Sequence, residues 1–146
     1  MSQHTAETIV IHAPLAAIYD VVIDFAHYTE WARDVKRVDI LERDDSGRAT
    51  LVEYRVAAFG RSATYRLHYD YSDAPAVIRW HQDDGDLTEI LTGSYRFTAE
   101  GPSTHVTYEL AVELRVPLPG FVKNRAAQRI QTEALHDLKH RVEHAG

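Results

Sequence analysis

The sequence contains no cysteine. Disulfides, thiol nucleophiles and thiolate metal sites are therefore excluded. No apolar run approaches the roughly 18 residues that a membrane span requires. Residues Met1 to Glu7 have neither a basic n-region nor an apolar h-region, so no signal peptide is expected and the cytoplasm is the expected compartment. A basic excess is also missing. Lysine and arginine number 16 against 22 aspartates and glutamates, a net charge of -6, which argues against a general nucleic-acid binder. The Gly-x-Ser-x-Gly elbow, the phosphate-cradling P-loop and the dinucleotide fingerprint are all absent, and no cofactor is expected.

What is present is the balance of an ordinary globular chain. Apolar residues make up 45% and charged residues 26% of 146, which fits one domain over residues 1–146 and argues against long disorder, collagen-like repeats and coiled coil. The charge is uneven. From Arg115 to Arg141 six basic residues face two acidic ones, so this segment carries +4 and the remainder of the chain -10. A basic end on an acidic body fits either an anionic surface or a solvated helix face.

Residues Glu7 to His12 alternate as a short strand. Pro14 suits the first turn of a helix, and Leu15, Ile18, Val22 and Phe25 recur at helical spacing. A second short helix is predicted around Thr29 to Asp34, carrying Trp31. From Val35 to Val116 the period becomes two. Turn signals at Asp44–Gly47, Phe59–Arg61, Ser72–Pro75, Asp83–Asp86 and Glu100–Ser103 divide this stretch into six strands of a meander. Pro117 and Pro119 end the last strand, and a long helix follows from about Gly120 to His144. The expected fold is α+β: a seven-stranded curved antiparallel sheet around a long C-terminal helix, with two short helices after the first strand.

Hairpin arithmetic separates the faces. A turn at Gly60 pairs Val56 with Tyr65, Tyr54 with Leu67 and Val52 with Tyr69, and leaves Glu53, Arg55, Arg66 and His68 outside. The same exercise puts Ile78 and Trp80 with Glu89 and Leu91. It also puts Leu91, Tyr95 and Phe97 with Val106, Tyr108, Leu110 and Val112. Buried tyrosines need hydroxyl partners, so an inner wall holding Tyr54, Tyr65, Tyr69, Trp80, Tyr95, Phe97 and Tyr108 suits a small-molecule cavity better than a dry core. Glu89 falls on this apolar face and, like the tyrosines, is a candidate to move protons, unless a bulge near Gly93 turns it outward. On the last helix, Phe121, Ile130, Ala134, Leu138 and Val142 are expected to pack on the sheet.

The order of elements resembles the START-like, or SRPBCC, superfamily and its helix-grip (Bet v 1-like) fold. Ile11-His12-Ala13-Pro14 leading into Ile18-Tyr19-Asp20-Val21-Val22, Asp24-Phe25 through Tyr28 and Trp31, Gly93 to Phe97, Thr104 to Leu110, Pro117 to Phe121 and Ala134 to Lys139 carry the resemblance. The sequence is similar to the polyketide cyclase/dehydrase and lipid-transport group, near coenzyme Q-binding-type proteins. The resemblance implies a cavity between sheet and C-terminal helix for an apolar or aromatic molecule, with Trp31 at its mouth. It implies no catalytic residue. The expected ligand-binding set is Trp31, Tyr54, Tyr65, Leu67, Trp80, Glu89, Tyr95, Tyr108, Phe121 and Ile130. The expected function is binding or transport of a lipid, quinone or polyketide-like molecule. A polyketide aromatase/cyclase or dehydrase using the same cavity is the second reading, and a ligand-free interaction module the third.

Other clusters have plain readings. His136, His140 and His144 share a helix face but sit among Lys139 and Arg141, so a solvated face is expected and no metal site. His68 and Glu53 read as an outer-face pair. Asp83, Asp84 and Asp86 around Gly85 read as a hairpin turn. Phe121 and Val122, followed by Lys123, Arg125 and Arg129, form an apolar tip ringed by cations, for which transient contact with an anionic membrane is expected.

Overall fold

The computed structural model describes residues 3–58, 61–115 and 117–144. The expected turn residues Phe59 and Gly60 lie outside the described residues, as does Val116. Strand β1 (Gln3–Ile11) leads to helix α1 (Leu15–Val22) and a short 3-10 helix (Phe25–Glu30). The meander follows as β2 (Val35–Arg43), β3 (Ala49–Ala58), β4 (Arg61–Asp70), β5 (Val77–Gly85), β6 (Thr88–Glu100) and β7 (Ser103–Leu114). Helix α2 (Gly120–Glu143) closes the chain. The strands form one antiparallel sheet in the order β1-β7-β6-β5-β4-β3-β2. No helix among the described residues is long and apolar enough to cross a membrane.

Pro14 stands at the N-cap of α1 with an extended backbone, and Ile18 and Val22 bury the helix's inner face. The second short helix lies four residues earlier than its predicted start. A 3-10 helix repeats every three residues, so Phe25 and Tyr28 share a face, with ring centroids 5.2 Å apart. Phe25 is buried in the core, and Trp31 caps the end of the turn.

The β3–β4 register differs from expectation by two. Tyr54 stands opposite Tyr65, and Val52 opposite Leu67. An even slip preserves the faces, so Val52, Tyr54 and Leu67 are buried as expected. It does change the outer partners. Glu53 pairs with Arg66 at 2.9 Å, while His68 stacks on His81 and meets Asp83 at 3.2 Å.

Glu89 requires a correction. Between Thr88, opposite Leu114, and Ile90, opposite Glu113, β6 advances two residues while β7 advances one. Glu89 is the extra residue of this bulge. The side-chain alternation resets there, so buried Thr88 is followed by two exposed residues, Glu89 and Ile90, before Leu91 turns inward again. The Gln82 amide holds the bulge by donating to the Thr88 carbonyl oxygen at 3.0 Å.

Helix α2 buries Leu138 and Val142 and packs Ala134 on the core as expected, but the rest of its buried face is Ala127, Gln131 and Leu135. Phe121 projects from the first turn with 68% of its surface exposed, and Ile130 is only partly covered. The helix lies along edge strand β1 and joins it through polar side chains. Gln131 Nε2 donates to the carbonyl oxygens of Thr5 and Tyr108, both at 3.0 Å. Lys139 Nζ donates to the Val10 carbonyl at 2.6 Å, and Glu143 accepts from the His12 backbone N–H at 2.9 Å. The edge is thereby covered. Because α2 sits to the β1–β7 side, space remains over the middle of the sheet. His136, His140 and His144 are exposed on the far face of α2.

Candidate functional site: an aromatic cavity with an acidic mouth

A cavity of about 210 Å³ fills the space between α2, the segment after the 3-10 helix and the concave face of the sheet. Its wall follows directly from strand geometry. Alternate residues of neighbouring strands point the same way, so Tyr54 and Tyr65, Tyr69 and Trp80, and Tyr95 and Tyr108 meet as cross-strand pairs. Their ring centroids lie 5.3, 6.1 and 4.8 Å apart. Trp80 also meets Tyr95 at 5.2 Å and Tyr108 at 5.6 Å, so the rings form one continuous surface. Gly93, directly opposite Trp80, makes this possible: a Cβ there would lie 2.6 Å from the indole.

The tyrosine hydroxyls divide into two groups. Those of Tyr28 and Tyr71 donate to the Val22 and Ala49 carbonyls, the latter at 2.6 Å, and those of Tyr54 and Tyr69 bond each other at 2.5 Å. The hydroxyls of Tyr65, Tyr95 and Tyr108 have no hydrogen-bond partner among the described residues. They are not sealed off by protein atoms either, so each opens onto the cavity. Tyr108 is nevertheless only 7% exposed. Burial pushes the phenols of Tyr65, Tyr95 and Tyr108 well above the ordinary tyrosine range. They stay protonated and face the cavity as neutral hydrogen-bond donors.

The mouth lies between Trp31, Ala32 and Asp34 on one side and Ile130, Glu133, Ala134 and Asp137 of α2 on the other. Trp31 is held by its ring contact with Tyr28 at 4.9 Å. Two ion pairs cross here: Arg33 to Asp137 at 2.8 Å and Arg141 to Glu30 at 3.0 Å. The Asp34 and Glu133 carboxyl groups share a hydrogen bond. Partial burial and then that bond raise Asp34 above the usual carboxylate range. The bond from Asp34 and the Arg129 guanidinium, 3.0 Å away, hold Glu133 below it. Of the two, Asp34 takes up a proton more readily than Glu133. Among the described residues, every ionisable side chain of the lining other than the phenols is a carboxyl, and none is lysine, arginine or histidine.

Of the residues expected at a ligand site, Trp31, Tyr54, Tyr65, Leu67, Trp80, Tyr95, Tyr108 and Ile130 line this cavity. Glu89 and Phe121 do not: the bulge turns the first outward, and the second points off the end of α2. Sequence reasoning did not bring in Tyr28, Asp34, Glu133 or Asp137. Glu133 stands three residues after Ile130 and so shares its helix face, which was a usable signal. Asp34 precedes β2 in an irregular segment and gave none.

Residues 11–139 match the model of a family described as polyketide cyclase / dehydrase and lipid transport. The chain belongs to that family. Among solved structures, a START-superfamily protein from Mycobacterium smegmatis is similar with a TM-score of 0.93 and 26% identity, over 98% of this chain and 99% of that one. The ZhuI aromatase/cyclase from Streptomyces sp. R1128 gives 0.83 at 19% identity, over 100% and 99% of the two chains. A third protein, TTHA0849 from Thermus thermophilus, gives 0.81 at 20% identity, over 98% and 99%. The last two likenesses establish the fold alone. No curated protein sequence matches the chain significantly. The family member described here thus has the START-like helix-grip fold, with its cavity between the sheet and α2.

Proposed function

We propose that this polyketide cyclase/lipid-transport family member is a cytoplasmic binding protein that encloses a ring-bearing apolar molecule with oxygen substituents, such as a quinone or polyketide-like compound. The observation that carries the reading is the set of three tyrosine hydroxyls, on half-buried Tyr65 and Tyr95 and buried Tyr108, that open onto the cavity without partners among the described residues. A dry core would leave such donors unsatisfied at about 1–3 kcal/mol each. A ligand carrying carbonyl or hydroxyl oxygens would satisfy them, while the rings of Tyr54, Trp80 and Tyr95 cover its faces. An unsubstituted acyl chain would use the walls and leave the donors idle.

The test uses 2-naphthol and intrinsic fluorescence, since Trp31 and Trp80 are the only tryptophans and both line the cavity. A probe of about eleven non-hydrogen atoms, at about 0.5 kcal/mol per atom, binds with a Kd near 0.1 mM. Saturable change in emission near that concentration is expected in the wild type and in Trp31→Phe. Unchanged emission in both proteins overturns the reading.

One observation favours catalysis as a second reading. Asp34 and Glu133 are adjacent carboxyls whose proton affinities are driven apart, the arrangement that supplies an acid and a base from one residue type. The tyrosines stay protonated and cannot serve as bases. An aromatase/cyclase would therefore take its proton from, or return it to, this pair at the mouth. Cyclisation of an added poly-β-ketone that is lost in Glu133→Gln supports that reading. Binding without turnover supports the carrier.

A further inference from the structure

The charge of the cavity separates ligand classes that its apolar wall does not. Three carboxyl groups line the mouth, and no basic side chain among the described residues lines any part of the cavity. Arg33 and Arg129 stand behind the carboxyls and are bound to Asp137 and Glu133. Lys36 points its ammonium at the Arg33 carbonyl, 3.1 Å away. Asp34 makes no ion pair within 4 Å among the described residues, and its side chain is bonded to the Glu133 carboxyl. Trp31, Tyr28, Tyr54 and Tyr65 line the same cavity, and the face of such a ring attracts a cation. Independently of the acids, Tyr108 is only 7% exposed, and its hydroxyl, without a partner among the described residues, opens onto the same space.

We propose that the cavity selects hydrophobic cations: the ring system lies against the aromatic wall, and an ammonium group rests at the mouth against Asp34 and Glu133. The inference rests on the cavity being a ligand site and adds the sign of the ligand's charge. A bound ammonium competes with protons for this carboxyl pair, while Arg33 and Arg129 are taken up by Asp137 and Glu133. An anionic ligand has no such partner at the mouth. Its carboxylate either sits beside like charges at the mouth or lies deep against neutral phenols without a counter-ion, and a buried anion without a partner is strongly disfavoured. Free fatty acids and anionic lipids are accordingly poor occupants.

Three probes with one ring system test this by calorimetry: (2-naphthylmethyl)trimethylammonium, 2-naphthol and 2-naphthoate. The quaternary ammonium does not titrate, so its pH dependence belongs to the protein. Near neutral pH the cation is expected to bind at least about tenfold more tightly than naphthoate, the advantage of a desolvated cation over aromatic faces. Its affinity should fall as the medium is acidified and Asp34, the more readily protonated of the pair, takes up its proton. In Asp34→Asn and in Glu133→Gln, the ratio of cation to naphthol affinity should shrink. Naphthoate binding as tightly as the cation, or an unchanged ratio in both variants, overturns the charge preference and leaves the cavity reading in place. Failure of all three probes to bind overturns the cavity reading and this inference together.

Discussion

Gln131 is only 1% exposed, yet it occupies the middle of the buried stripe of α2. Its amide is bound to the carbonyl oxygens of Thr5 and Tyr108, so one side chain ties the helix to both β1 and β7. Gln131→Met keeps the volume and removes both bonds. It should cost about 2 kcal/mol, measured by urea denaturation, because two buried carbonyls lose a partner. A loss under about 0.5 kcal/mol would mean that the carbonyls do not depend on the amide. Gln131 also explains a misreading. A polar residue in the apolar stripe masks the 127–131–135 spacing, and Ile130 and Ala134 stand out as the apolar positions instead. Glu89 was misplaced for a related reason. Alternation counts residues, and a bulge inserts one without leaving a mark in composition. The tyrosine wall was legible because its strands run without a bulge through Tyr54, Tyr95 and Tyr108, and because an even slip of register changes partners but not faces.

At the scale of the element, α2 has three jobs on three faces: apolar packing, hydrogen bonding to the edge of β1, and one wall of the cavity. Its basic residues looked in the sequence like a patch for an anionic surface. In the fold they meet acids instead. Lys123 lies 3.4 Å from Glu113, Arg129 pairs with Glu133, and Arg141 with Glu30. Segment charge was therefore readable, but its destination depended on which strands lay beside the helix. Phe121 remains exposed at the tip, with Arg125 exposed beyond it. One such cation adds about 1 kcal/mol near an anionic bilayer, so we expect sedimentation with anionic vesicles at low salt to be marginal and Phe121→Asp to abolish it. Robust pelleting that falls with Lys123→Glu would instead show that the Lys123–Glu113 pair opens at a membrane.

For the whole molecule, the question is how anything enters. The cavity is walled by the sheet on one side and by α2 on the other, and the segment from Glu30 to Asp34 stands across the mouth. That segment is held to α2 by Arg33–Asp137 and Arg141–Glu30. Opening requires both pairs to part while β1, β7 and the buried face of α2 stay in place. Both arginines are partly in water, so each pair contributes only about 0–1 kcal/mol. The closed state is thus favoured only modestly. Removing the straps with Arg33→Ala and Arg141→Ala should raise the association and dissociation rates of 2-naphthol together, each by about fivefold for a loss of about 1 kcal/mol, and leave Kd nearly constant. Stopped-flow tryptophan fluorescence reads both rates. Added salt should speed the wild type toward the double variant, since it weakens exposed pairs. Rates that do not change in the variant or with salt would place the entrance elsewhere, and rates that change while Kd rises in step would show that the two pairs hold the ligand rather than the door.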